Sequence, residues 1–155
     1  MTIRFRQACP EDASAMANVQ NVLFDAGKRA NRVTEAQIHE RYLAKGPDEI
    51  LCTVAVSEES HIVGFQSLRR AWPDNPYDTP AGWGIIGTHI SPGGARQGIG
   101  RHLFEITLKA AQGTSLDWIE AVIGITNVEG QAYYEAMGFR TWRITDTSCC
   151  KRFKL

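Results

Sequence analysis

Residues 92–100 contain four glycines, Gly93, Gly94, Gly98 and Gly100, at the point where an apolar segment gives way to an amphipathic one. A strand that ends in such a loop and feeds a helix is suited to receiving an anion. Unpaired backbone N–H groups face the ligand, the helix dipole favours negative charge, and glycine lets a phosphate approach the main chain. A flexible strand-to-helix connection would have the same composition, so the two readings stand side by side. Two phosphate loops are excluded by their own residues. A P-loop needs Lys followed by Ser or Thr after its last glycine, but Gly100 is followed by Arg101 and His102. A dinucleotide fingerprint starting at Gly98 needs glycine at 103, where the residue is Leu103. The four cysteines, Cys9, Cys52, Cys149 and Cys150, show no metal-ligand spacing, and no metal is expected.

The elements that would position this loop can be read from periodicity. Residues 3–8 alternate as a first strand. Pro10-Glu11-Asp12 opens a helix over about 13–26, with Met16, Val19 and Leu23 on one face. A second helix starts at Thr34, with Gln37 completing a capping box, and stops near Lys45-Gly46-Pro47. Residues 50–56 and 62–68 form a hairpin around 57–60, and a polar, proline-rich loop covers 73–80. Residues 82–91 are apolar enough for a central strand. The helix after the glycines presents Ile99, Leu103, Ile106 and Ala110 on one side. A buried strand over 118–125 follows, then a helix over 127–137 that stops at Gly138, and two short strands over 139–144 and 148–153. The order βααβββαβαββ over 1–155, without repeat or linker, predicts a single α/β domain with a mixed sheet.

Composition narrows the partners. The chain has 155 residues, 43% hydrophobic and 22% charged, long enough and apolar enough for a proper core. Seventeen basic and seventeen acidic residues cancel, and no basic stripe stands out, so nucleic acid is not an expected partner. The first ten residues lack the apolar run of a signal peptide, and no run reaches membrane-spanning length. By elimination the expected location is cytoplasmic, with no membrane partner.

With these residues in view, the chain resembles the GNAT superfamily of acyl-CoA-dependent N-acetyltransferases along nearly all its length. Residues 3–8 with Pro10-Glu11-Asp12-Ala13 are similar to its opening strand and helix, and Ile62-Val63-Gly64-Phe65 to its third strand. Ile90-Ser91-Pro92 through Gln97-Gly98-Ile99-Gly100-Arg101 is similar to its pyrophosphate motif. Asn127, followed by Tyr133-Tyr134-Glu135-Ala136-Met137-Gly138-Phe139, resembles its closing helix. The resemblance implies a mostly antiparallel sheet with helices on both faces, acetyl-CoA as cosubstrate, and a primary amine as acceptor. The acceptor would be a small or amino-acid-like molecule. A protein N-terminus or lysine, a non-catalytic acyl-CoA sensor, and a homodimer stay open.

Residue by residue, it implies that the Gln97–Gly100 amides hold the CoA pyrophosphate. Backbone near Ile90 would meet the pantetheine and the acetyl carbonyl, where two strands splay apart. Asn127 would lie beside the pantetheine arm, and Tyr134, four residues before Gly138, falls at the position of the general acid. The sequence departs from the pattern at Ala95 and Arg96, where the motif has Gln or Arg and then glycine; Arg96 or Gln97 would restore the lost contact. It departs again at Gly84, where many members carry a glutamate base, so a side-chain base there is excluded. Alkyl amines titrate near 10, and about three units of protonation cost must be met at pH 7 through ordered water or another carboxylate. By strand alternation His89 lies opposite Gly84, Thr88 and Ile90, and reads as packed rather than basic. The alternative for Tyr134 is an interfacial aromatic with its hydroxyl satisfied, and Tyr133 reads as the core residue of the pair. The acceptor would be shaped by residues 24–34, the 72–83 loop and the last two strands. There Asp25, Asp74 and Asp78 could attract a cation, and Lys28, Arg29 and Arg32 an acid.

Overall fold

In the computed structural model, which describes residues 2–94 and 97–155, the elements follow the predicted order. They are β1 (Arg4–Gln7), α1 (Ala13–Asp25), α2 (Glu35–Ile38), β2 (Glu49–Val56), β3 (Ile62–Arg70), β4 (Gly84–Ile90), α3 (Ile99–Gln112), β5 (Trp118–Gly124), α4 (Val128–Met137), β6 (Arg140–Ile144) and β7 (Ser148–Lys154). Seven strands form one sheet in the order β1-β2-β3-β4-β5-β7-β6. Every neighbouring pair is antiparallel except β4 and β5.

Each sheet face carries its own core, because successive strand residues point to opposite sides. Met16 and Val19 of α1 and Ile38 of α2 pack with Cys52, Val54 and Phe65 on one face. On the other, Phe104 and Ala111 of α3 and Tyr134 of α4 pack with Leu68, Ile86, Ile119 and Phe139. The buried face of α3 is turned from the one read in the sequence. Thr107 and Phe104 are buried where Ile106 and Ala110 were expected. Thr107 tolerates this because its hydroxyl donates to the side-chain oxygen of Gln66, itself fully buried in β3.

The helix ends obey local chemistry. Thr34 Oγ1 accepts from Gln37 N (3.2 Å) and Gln37 Oε1 from Thr34 N (3.0 Å), the expected capping box. Past Ile38 the helix widens into a single π-helical turn, His39–Leu43, closed by Ala44 N donating to His39 O (2.7 Å). Gly138 ends α4 at φ 107, in the left-handed region. A Cβ there would also lie 3.1 Å from Phe153 Cε2. No helix among the described residues is long and apolar enough to cross a membrane.

The entry to α1 is tied to β1 by charge. Arg6 donates to both carboxylate oxygens of Asp12 (2.8 and 2.9 Å), and Asp12 Oδ2 also accepts from Cys9 N (2.8 Å). The Arg6 guanidinium holds the Asp12 pKa down, from 3.8 to about 2. A depressed carboxylate stabilises the fold above its unfolded pKa and loses that contribution as pH falls through its folded pKa. Asp12→Asn should therefore destabilise the protein by on the order of 1–2 kcal/mol at pH 7. Urea titrations of both proteins should converge between about pH 4 and pH 2. A gap that persists at pH 2 would show that the contribution is not ionic.

Candidate active site

β4 and β5 run parallel and pair at only two positions, Gly84 with Ile119 and Ile85 with Glu120. Beyond these the strands part, so residues 86–90 of β4 show one backbone edge to an opening rather than to a neighbour. Backbone groups must find partners, and an opening in mid-sheet is a place for a ligand to supply them. Ile90 ends β4 at the mouth of this opening, paired on its other side with Gly64 of β3.

The glycine loop lies at the same mouth. A short 3₁₀ turn, Pro92–Gly94, leads toward α3, and Gln97 Nε2 donates back to Gly93 O (2.9 Å). Gly98 sits before the helix at φ 73, a conformation that suits glycine. Helical bonding starts with His102 N donating to Gly98 O (3.1 Å), so the amides of Ile99, Gly100 and Arg101 precede the ladder. Ile99 is buried, whereas Arg101 is exposed on the first turn. Arg96, expected to contribute a side-chain contact, lies outside the described residues, as does Ala95.

Gly100 is small for a reason of packing. A Cβ there would lie 2.6 Å from Tyr133 Cε1. The Tyr133 hydroxyl donates to Gly100 O (2.6 Å) and accepts from Gln66 Nε2 (3.0 Å), which clamps α4 onto the start of α3. Burial pushes the Tyr133 pKa up to about 12. The expected division of labour between the two tyrosines is reversed in burial: Tyr134 is the core residue, Tyr133 only half-buried. Helix α4 turns Tyr134 inward against Phe139 (ring centroids 5.1 Å apart) and Tyr133 outward toward α3.

The Tyr134 hydroxyl lies 2.8 Å from Thr88 Oγ1, on the splayed part of β4. Thr88 Oγ1 accepts from Gln66 Nε2 (2.9 Å), so Gln66 spends one amide hydrogen on Thr88 and one on Tyr133. With an acceptor bond already in place, Thr88 is free to donate its hydroxyl hydrogen to Tyr134. That leaves the Tyr134 hydrogen for a ligand. Desolvation raises the Tyr134 pKa well above the usual phenol value, so the group is protonated at neutral pH. Alternation places Thr88 on the Gly84 face; Gln66, a polar residue inside an apolar strand, was the unread signal of this network.

Asn127 caps α4, with Oδ1 accepting from Gly130 N (3.0 Å) at the C-terminal end of β5. Gly84 is walled by Leu68, Leu116 and Ile119, whose atoms would lie 3.0–3.4 Å from a Cβ. A glutamate there would be driven into apolar side chains, so the missing carboxylate is a matter of packing as well as chemistry.

On the opposite face, Glu120 at the last paired position is wholly buried. It accepts from Thr79 Oγ1 (2.6 Å), Trp142 Nε1 (2.7 Å) and Arg143 Nε and Nη2 (3.1 and 2.9 Å). Those bonds occupy the carboxylate and hold the 72–83 loop and β6 to β5. The loop is wound around the Asn75 amide, which donates to Trp72 O and Thr79 O (2.8 and 2.7 Å). Asp74 and Asp78 take left-handed φ values of 60 and 55, which aspartate tolerates. Of the other charges near this face, Asp25 is paired with Arg32 (2.7 Å) and Lys28 with Glu129 of α4 (2.9 Å).

The sequence model described as the acetyltransferase (GNAT) family matches residues 16–139. No curated protein sequence matches the chain. Among solved structures, a GCN5-related N-acetyltransferase from Kribbella flavida is 16% identical with a TM-score of 0.79, over 99% of this chain and 98% of that one. The PaiA N-acetyltransferase from Thermoplasma acidophilum, solved with coenzyme A, is 18% identical with a TM-score of 0.78, over the whole of both chains. A phosphinothricin acetyltransferase from Sinorhizobium meliloti, solved with acetyl-CoA, is 18% identical with a TM-score of 0.76, over 100% of this chain and 89% of that one. At these identities the likeness is one of fold.

His89 shares the Glu120 face. Its ring packs against Phe65 (4.9 Å between centroids), and its Nε2 lies 3.4 Å from the Tyr42 hydroxyl. The residue as a whole keeps some exposed surface, but desolvation of the ring, with Arg29 and Arg41 in electrostatic reach, lowers its pKa to about 3. A neutral imidazole at pH 7 fits the packed reading. In an NMR pH titration the His89 ring protons should hold one shift from pH 8 down to 5. A midpoint near 6.5 would return His89 to the list of candidate bases.

Proposed function

The chain belongs to the acetyltransferase (GNAT) family, and on that premise we propose that it transfers the acetyl group of acetyl-CoA to the primary amine of a small molecule. The observation that carries this reading is the β4–β5 opening, flanked at its mouth by the amides of Ile99, Gly100 and Arg101 that precede the helical ladder and on its wall by the Tyr134 hydroxyl. In the reading, the amides at Gln97–Gly100 take the pyrophosphate, with Arg101 and Arg96 beside it. The pantetheine enters the opening along the backbone near Ile90, with the Asn127 amide nitrogen at its edge.

The chemistry follows from the walls. The neutral amine attacks the thioester carbon, its extra proton leaving to water, since Gly84 offers no base and Glu120 is fully engaged. The carbonyl oxygen becomes an oxyanion, which an unpaired β4 backbone N–H stabilises; preorganised donors of this kind are worth about 10²–10³ in rate. The C–S bond then breaks, and the Tyr134 O–H protonates the departing thiolate. Thr88, donating to the Tyr134 oxygen, keeps that hydrogen directed at the sulfur.

Two substitutions test separate halves of the reading. A Cβ at position 98 would meet no atom of the described residues within 4 Å, and Asn and Asp both tolerate the φ found there, so Gly98→Asp and Gly98→Asn form a matched pair. The aspartate variant should bind acetyl-CoA at least tenfold more weakly than the asparagine variant, through like charge alone. Equal calorimetric affinities would place the phosphates elsewhere. Tyr134→Phe should keep acetyl-CoA affinity within twofold and lower kcat by about 10²-fold or more. The loss should shrink for acyl donors with more acidic thiols. A kcat unchanged with the best amine would mean that solvent protonates the thiolate.

A further inference from the structure

From the end of α1 through the π-helical turn the chain places four cations, Lys28, Arg29, Arg32 and Arg41, whose fates differ. Lys28 Nζ is held by both carboxylate oxygens of Glu129 (2.9 and 3.0 Å), and Arg32 by Asp25 (2.7 Å). Arg29 has no such partner. Its Nη1 is fully buried and makes no hydrogen bond among the described residues. Arg41 makes no ion pair among the described residues either. The titratable groups acting on Arg29 are the phenols of Tyr42 and Tyr77 and the like charge of Arg41, with no acid among them. Buried N–H groups of a guanidinium are ordinarily hydrogen-bonded, and two guanidiniums that share a neighbourhood repel until an anion joins them.

The place of this pair is informative. Both cations act on the His89 ring, and His89 lies on the splayed part of β4, next to Thr88 but on the opposite face. The Lys28–Glu129 bridge ties the start of the same loop to the first turn of α4, across the opening. The 72–83 loop brings Tyr77, whose carbonyl accepts from Arg143 Nη2 (2.8 Å), to the same side. An anion bound by Arg29 would thus sit beside the β4–β5 opening, on the face away from Tyr134. A planar guanidinium fork suits carboxylate and phospho-acid oxygens, which it can bind in pairs.

We infer that the acceptor is a zwitterion, a primary amine that also carries a carboxylate or phospho-acid group, and that Arg29, supported by Arg41, is the residue that selects it by binding that group. The inference rests on the acetyl-transfer reading for the amine and on the unpaired guanidinium for the acid. The neutral imidazole of His89, in electrostatic reach of both cations, would not compete for the anion.

The test uses matched amines with and without the acid: alanine and ethylamine, phenylalanine and phenethylamine, 2-aminoethylphosphonate and ethylamine. Thiol release gives kcat/KM for each. Calorimetry on the protein saturated with CoA, which fills the phosphate loop, gives binding separately from turnover. In the wild type the acid-bearing member of at least one pair should be preferred tenfold or more. Arg29→Gln should erase that preference by raising KM for the acid-bearing amine at least tenfold, with acetyl-CoA affinity and KM for the plain amine within twofold to threefold. Arg29→Lys should restore part of it, and Arg41→Gln should weaken it to a smaller extent. Equal use of both members of every pair, or equal damage to both by Arg29→Gln, would overturn the inference while leaving acetyl transfer standing. Arg29-dependent binding of an acid-bearing amine to the CoA-loaded protein without any turnover would do the reverse. Failure of every acid-bearing amine either to bind or to react would also overturn it.

Discussion

Two parallel strands that pair at only two positions are the constraint on which the rest of this structure depends. Had β4 and β5 stayed together along their length, the sheet would be continuous and its backbone groups mutually satisfied. Their separation after Ile85 and Glu120 leaves one edge of β4 without a neighbour. Helices α3 and α4 cover one side of that opening, and the α1–α2 region with the 72–83 loop flanks the other. The family's reaction joins an amine to the thioester carbon of acetyl-CoA, and an opening through the sheet lets two molecules be held with their reacting atoms together.

Keeping an opening in mid-sheet requires its walls to be rigid without it. On one side this is done by a buried polar chain. Gln66 bonds Thr107 of α3, Thr88 of β4 and Tyr133 of α4, and Tyr133 in turn holds the carbonyl of Gly100. Each of these groups is buried or half-buried and each is satisfied, the condition under which a polar network orders a core rather than weakening it. On the other side the same task falls to Glu120, whose four hydrogen bonds fasten a loop and an edge strand to β5. Removing one partner of so buried a charge leaves the rest uncompensated, so this cluster is as much a part of the site as the residues that face the ligand.

Electrostatics then divide the two faces. The Tyr134 face is neutral and desolvated, which keeps the phenol protonated. On the His89 face burial, with the charges of Arg29 and Arg41 adding to it, keeps the imidazole neutral, and a buried guanidinium nitrogen of Arg29 has no hydrogen-bond partner among the described residues.

Much of this was legible in the residues. The element order, the capping box at Thr34, the left-handed Gly138 and the opposed faces of Thr88 and His89 all follow from short-range rules. Periodicity, caps and turn chemistry act over a few residues and need no tertiary partner. What only the tertiary structure decided lies between residues far apart in the chain. Gly100 is glycine because Tyr133, 33 residues on, packs against it. Thr107 faces the core because Gln66 waits there, and Tyr134 rather than Tyr133 is buried because α4 lies across the splay. Among the described residues Arg29 has no partner for its buried Nη1 while Lys28 and Arg32 are paired, although the three are equivalent cations when read along the chain. Burial and the partner supplied by a distant segment set the state of a polar group, and neither is a property of the residue or its neighbours in sequence.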